Sequence, residues 1–127
     1  MLTDYVKNWL ARADEDVATA KLLLDEGDRF NPVCFHAQQA GEKYLKGFLA
    51  FHDLHVRKIH DVEILVKDSA GVDASFSELL PAAAILNQFY TESRYPDDYV
   101  EFSLQDAKEG YDAAEKIGDL VKSKIQA

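Results

Sequence analysis

The sequence predicts an all-α protein, an up-and-down bundle of four or five helices. Three observations carry that expectation. Apolar residues recur at steps of three and four along most of the chain, residues suited to helix ends punctuate those stripes, and no stretch alternates as a strand would. The chain has 127 residues, 47% hydrophobic and 29% charged, a globular balance that suits one domain over residues 1–127.

In the first helix Leu10, Ala13, Val17, Ala20 and Leu24 form one stripe. It starts near Thr3 and stops at Gly27, a residue suited to the left-handed position after a helix. Asn31-Pro32 reads as the N-cap and first turn of a second helix running to about Asp53. That helix is apolar over most of its circumference (Val33, Phe35, Ala37, Ala40, Leu45, Phe48), so it sits centrally or is covered on two sides. A third begins near His60, carries Val62, Leu65 and Val66, and stops at Gly71. The fourth opens with a capping box, Ser75-x-x-Glu78, tolerates Pro81 near its first turn, and is broken at Tyr95-Pro96. The last starts at Ser103 with Asp106 as its capping partner; Leu104, Ala107, Tyr111, Ala114, Gly118, Val121 and Ile125 then repeat at helical spacing. Antiparallel succession would put Asp53–His60, Arg94–Phe102 and the start of the first helix at one pole, and Gly27–Asn31 with Gly71–Ser75 at the other.

The formal net charge of -9 argues against unselective binding of nucleic acid or anionic lipid. Cys34, the one Cys, excludes a disulfide framework and suits a reducing cytoplasm. No run is long and apolar enough for a membrane span, and Met1–Leu10 carries acidic Asp4 and no apolar leader core. P-loop, dinucleotide-binding and α/β-hydrolase motifs are missing, so no cofactor is expected. His52, His55 and His60 lack Cys or carboxylate partners at zinc-binding spacing, so no metal is expected either. Cys34, in an apolar stretch near a helix start, reads as core.

Two features could carry chemistry. All four His residues fall between positions 36 and 60, together with Lys43, Lys46, Arg57 and Lys58. This locally basic segment is either an anion site or, at Lys43 and Lys46, the solvated edge of a helix. His60 either caps the third helix or anchors the loop before it. The second feature is Arg94-Tyr95-Pro96-Asp97-Asp98-Tyr99, which offers a bidentate phosphate ligand beside stacking rings. In the alternative reading Arg94 ties down Asp97 or Asp98 while the tyrosines pack a helix junction.

The stretch Phe35-His-Ala-Gln-Gln-Ala-Gly-Glu-Lys-Tyr-Leu-Lys46 resembles the hallmark second helix of the HEPN domain (higher eukaryotes and prokaryotes nucleotide-binding). His60-Asp61 and Tyr90-x-x-x-Arg94-Tyr95-Pro96-Asp97 resemble its other two signatures, and the likeness covers about Tyr5 to Val121. The resemblance implies a helical bundle that forms a homodimer. It also implies a neighbour, a separately encoded minimal nucleotidyltransferase, in a pair of toxin–antitoxin type. Within the hallmark helix, Gln38–Glu42 and Gln39–Lys43 are spaced to pair, and Glu42 precedes Lys46 in the favourable orientation for an ion pair. Gln38, Gln39 and Glu42 read as interface groups or braces of the bundle.

Many HEPN proteins are metal-independent RNases with an R-x4-6-H motif. After Arg94 the positions where that His would stand hold Tyr99, Val100 and Glu101, so the motif is absent there; Arg29-x6-His36 fits the spacing but reads as a chance pairing. The expected function is therefore a non-catalytic module that homodimerises and binds a nucleotide, a phosphate ligand or a nucleotidyltransferase. The expected ligand residues are Arg94, Tyr95, Asp97, Arg57, Lys58, His60, Lys43 and Lys46. The alternative is a diverged RNase toxin using Arg94 with His60 or Tyr99.

Overall fold

The structure, a computed structural model, describes residues 1–90 and 99–125. Five helices follow one another: α1 (Asp4–Glu26), α2 (Phe30–Phe51), α3 (Val62–Ala70), α4 (Leu80–Asn87) and α5 (Leu104–Ile125). A 3-10 segment, Ala74–Leu79, leads into α4, and no strand occurs among the described residues.

Several helix ends form as the local sequence dictates. The Thr3 hydroxyl accepts the Val6 N–H at 3.2 Å, and Gly27 closes α1 at φ 75°, a left-handed conformation that glycine adopts without steric cost. At α5 the Ser103 hydroxyl accepts from the Asp106 N–H (3.1 Å) while Asp106 accepts from the Ser103 N–H (3.0 Å), the reciprocal box. Pro81 lies in the first turn of α4, where its missing N–H costs nothing.

Two expected caps do not form. Asn31 does not cap α2, which already starts at Phe30 behind Arg29. Instead its amide donates to the Val100 carbonyl (2.6 Å) and accepts the Phe102 N–H (2.8 Å), tying the lead into α5 to the start of α2. Ser75 and Glu78 make no capping box. Asp73 takes the role, accepting both the N–H (3.0 Å) and the hydroxyl (2.6 Å) of Ser75, and the segment winds as 3-10 helix. The fourth helix, expected to run until Tyr95-Pro96, already ends at Asn87, where Gln88 and Phe89 turn back onto the Ile85 and Leu86 carbonyls; Tyr95-Pro96 itself lies outside the described residues.

Helix α2 packs against α1, α3, α4 and α5, as its broad apolar surface requires. Val33, Ala37, Leu45 and Phe48 are fully buried within this one chain, and Phe35 is the apolar residue of α2 left exposed.

The order of the poles differs from simple antiparallel succession. The N-terminal ammonium donates to the Phe51 carbonyl at 2.6 Å, so α1 begins where α2 ends. Lys122 pairs with Asp14 at 2.6 Å near the same end. Gly71–Ser75, expected beside Gly27–Asn31, lies at this pole instead: Asp73 pairs with Lys124 (3.2 Å), and the Phe76 ring sits 4.2 Å from that of Phe48. Val100–Phe102, expected beside Asp53–His60, lie with Asn31.

The cause is the connection after α2. Asp53 takes a left-handed φ of 57° and reverses the chain, which then climbs back along α2 until the His60 carbonyl accepts from Gln38 at 3.2 Å. About ten extended residues can span that rise. Helix α3 consequently sets off in the same direction as α2, and α4 returns beside it: the Asn87 carboxamide, at the end of α4, accepts the Val62 N–H at the start of α3 (2.8 Å).

Close approach is built into the α2–α5 contact. A Cβ at Gly118 would meet Tyr44 ring carbons at 2.7 and 2.8 Å, and that ring is itself buried. Gly118→Ala should gain about 1 kcal/mol in helix propensity and lose about 1–3 kcal/mol to overpacking against a rigid ring. The expected net result is a lower urea midpoint with an unchanged slope; an unchanged or raised midpoint would show that the helices separate without cost.

Candidate functional site

The hallmark stretch of α2 aims two buried polar side chains at the returning loop. Gln38 is 1% exposed and Glu42 4%, one helical turn apart. Gln38 donates to the His60 carbonyl (3.2 Å) and accepts from the Gln39 amide (2.7 Å). Glu42 Oε1 lies 2.6 Å from His60 Nδ1, and Lys46 Nζ lies 3.8 Å from Oε2. Desolvating a carboxylate costs several kcal/mol, and the imidazole and the ammonium offset that cost on either side. Lys46 also lies over the Trp9 ring, 5.7 Å from its centroid, a cation–π contact.

The outer edge of His60 faces a cleft. Its ring stacks on Tyr90 with centroids 4.6 Å apart and planes tilted by 24°. The cleft, about 470 Å³, is lined by Lys58, Ile59, His60, Asp61, Asn87 and Tyr90. Asp61 is the N-cap of α3, accepting the Ile64 N–H at 3.2 Å, and Asn87 donates to the same carboxylate at 2.9 Å. Of the two roles open to His60, the structure gives it the loop anchor and gives the cap to Asp61.

The expected ligand residues divide. Lys58 and His60 share the cleft. Arg57 does not join them: its guanidinium grips Asp68 in two bonds, 2.8 and 3.2 Å, beside a separate hollow with His55 and Leu54. Lys43 turns to α1 and pairs with Asp16 at 2.7 Å, and Lys46 is buried on Glu42 and Trp9. Arg94, Tyr95 and Asp97 lie outside the described residues. Tyr99 lines a different hollow with Arg29 and Asn31, which separates it from His60. Gln38 and Glu42 brace the loop onto α2 instead of pairing with each other, and Gln39 bonds Gln38 rather than Lys43.

A second polar cluster lay unread in the sequence. Asp16, itself buried, accepts from Lys43 and lies 2.9 Å from His36 Nδ1. Its signal is positional: Asp16 falls within the Ala13–Val17–Ala20 stripe, and a carboxylate on an apolar face needs cationic partners. Cys34 is buried, and its surroundings push the thiol up to about 12, mainly by burial and further by the Asp106 carboxylate. Burial and the bond to Asp14 (2.5 Å) likewise hold the Tyr44 phenol well above the ordinary tyrosine range. No described helix is long and apolar enough to cross a membrane, and no three His, Cys, Asp or Glu among the described residues gather as metal ligands.

The chain belongs to the HEPN domain family, whose model matches residues 6–124. It is 27% identical to a candidate toxin, MJ1304 of Methanocaldococcus jannaschii, over 93% of this chain and 86% of that protein. Two crystal structures are similar throughout. TT1696 from Thermus thermophilus shares 31% identity at a TM-score of 0.82, covering 96% of this chain and 99% of the other. ST0689, an archaeal HEPN homologue, shares 30% at 0.78, covering 95% and 98%.

Glu42→Ala should destabilise the fold by about 3 kcal/mol, the low end for removing one partner of a buried pair, because His60 is half exposed. A denaturant titration showing a loss under about 1 kcal/mol would contradict the bracing role. Burial keeps the Cys34 thiol protonated and out of reach at pH 8, so a thiol-specific reagent should label the native chain only as it unfolds; fast labelling of the folded chain would contradict this.

Proposed function

We propose that this chain is a non-catalytic HEPN module of a toxin–antitoxin-type pair, taking the phosphate of a small nucleotide into the His60 cleft. Lys58 and His60 supply the described part of the site; Arg94, whose planar fork suits a phosphate, is the further ligand residue that the sequence proposes, and it lies outside the described residues. The observation that carries this reading is the cleft itself: a cation, a fixed imidazole edge and an aromatic ring converge at a size suited to a small ligand. The net charge of -9 favours a small anion over an extended polyanion. The likeness to the candidate toxin MJ1304 supports the paired context, with a minimal nucleotidyltransferase as the partner class. The module acts as a homodimer in the cytoplasm. Because α2 is covered within the chain, its self-association would use exposed side chains at the start of α2 and α5, such as Phe35, Val100 and Leu104.

A second reading, a metal-independent RNase, draws on one observation. Glu42 holds Nδ1 of His60, the arrangement that leaves an imidazole free to act as a base at Nε2. Against it stands the missing His after Arg94.

Calorimetry with nucleoside monophosphates should show binding that Lys58→Ala or Arg94→Ala weakens by about 1–3 kcal/mol, the value of a charge-assisted hydrogen bond. Unchanged affinity in both folded variants would retire the site. Incubation of the purified chain with mixed RNA should give cleavage near background, with or without Mg²⁺. Robust cleavage that disappears in His60→Ala would promote the RNase reading. Light scattering should return a dimer at micromolar concentration, and a particle of monomer mass would sink that part.

A further inference from the structure

We infer that the groove between the start of α1 and the end of α5 docks an amphipathic helix of a partner protein, one that carries acidic residues beside its apolar anchors. The inference goes beyond the nucleotide reading and does not depend on it.

Lys7, Leu10, Ala11 and Asp14 stand at i, i+3, i+4 and i+7, one face of α1. Lys122 and Ile125, a turn apart on α5, join them in lining a groove of about 400 Å³, and Leu2 lines it ahead of α1. Leu2 is 42% exposed, Ala11 is exposed and Leu10 half-buried, so apolar surface there is open to water; Ile125 beside them is buried. Apolar surface shared by two neighbouring helices fits the apolar stripe of a third helix laid along them.

The charges on the rim choose the occupant. Asp14 accepts from the Tyr44 phenol (2.5 Å) and pairs with Lys122 (2.6 Å), whose ammonium also lies 5.5 Å from the Tyr44 ring centroid. That carboxylate is therefore engaged from α2 and α5 and offers little to a cationic ligand. Lys7 is exposed and makes no ion pair among the described residues. Two ammonium groups thus border the groove against one carboxylate, a locally positive rim on a chain of formal net charge -9. It complements an acidic flank. A second copy fits poorly, because a two-fold contact centred here would set Lys7 and Lys122 against the same two lysines. The groove also lies where α1 begins and α2 ends, whereas Phe35 stands at the start of α2, so the self-association proposed above leaves it open. A bilayer surface, being flat, would leave a concave groove unfilled.

The test titrates the intact, isotopically labelled chain with two short synthetic helical peptides at low salt. Both carry leucines at i, i+3, i+4 and i+7; one has glutamates flanking that stripe, its twin lysines. The glutamate peptide should shift the methyl signals of Leu2, Leu10, Ala11 and Ile125 to saturation and bind roughly tenfold more tightly than its twin. Lys7→Glu, at an exposed position, should bring that ratio near one, and Ala11→Trp should fill the groove and abolish binding of both. Should Ala11→Trp fail to fold, Lys7→Glu carries the comparison. No saturable binding, equal affinity of the twins, or shifts confined to other surfaces would overturn the inference. Loss of a parent dimer in folded Ala11→Trp would assign the groove to a second copy, and binding to phosphatidylglycerol vesicles that Lys7→Glu removes would assign it to a membrane. Either result also overturns it, and none of these outcomes touches the nucleotide reading.

Discussion

A carboxylate placed inside α2 organises much of this bundle. Glu42 is nearly inaccessible to water, and an ionised carboxyl there is tolerable only with partners in contact. One partner, Lys46, comes from the next turn of the same helix. The other must come from elsewhere in the chain, and it is His60. Meeting that demand fixes the path of residues 52–61: they climb beside α2 instead of turning tightly at its end. Where that loop arrives, α3 begins; the direction of α3, the return of α4 and the position of the cleft follow. A polar requirement inside the hallmark stretch thus shapes the topology around it.

Close helix packing makes the arrangement rigid enough to matter. Gly118 lets α5 approach the Tyr44 ring, and one turn earlier on α2 Gly41 admits Leu86 of α4 next to Ile117 of α5; a Cβ there would collide with the Leu86 side chain. With α2 held by both neighbours, Gln38 and Glu42 have little freedom, and His60 inherits that fixity through one hydrogen bond at its carbonyl, one at its ring and the Tyr90 stack. A side chain on a connecting loop is thereby positioned about as firmly as one on a helix.

What could be read from the sequence was what depends on neighbours a few residues away. The Thr3 cap, the Gly27 stop, the Ser103–Asp106 box and the Glu42–Lys46 pair all involve atoms within one helical turn, and all form. Asn31 and Ser75 carry equally good local signals, yet tertiary demands claimed one and a neighbouring side chain displaced the other. Asn31 was needed by the backbone of Val100 and Phe102, and Asp73 competed successfully for Ser75. The reversal of poles was hidden because nothing local in residues 52–61 distinguishes a tight turn from a return along the helix; only the pairing of His60 with Glu42, eighteen positions apart, decides it. Of the candidate site, Lys58 and His60 were legible as a basic segment, whereas Asn87 and Asp16 became meaningful only in three dimensions.

The same accounting changes what a basic segment means. Lys43, Lys46, Arg57 and Lys58 lie close together in the sequence and suggest a positive surface. In space Lys43 is neutralised by Asp16, Lys46 by Glu42 and Arg57 by Asp68, each pair in contact. Lys58 alone of the four makes no ion pair among the described residues, in a chain whose net charge is -9. Long-range attraction of a polyanion is weak under those conditions, because salt screens Lys58 beyond roughly one Debye length of 8–10 Å and the surrounding negative charge opposes it within that range. On the proposed function, recognition would have to come from contact: one cation, an imidazole edge fixed by a buried carboxylate, and apolar walls in a cleft of about 470 Å³. A site so built would select by shape and hydrogen-bond polarity more than by charge, and that requirement favours the proposed small ligand over a nucleic acid strand.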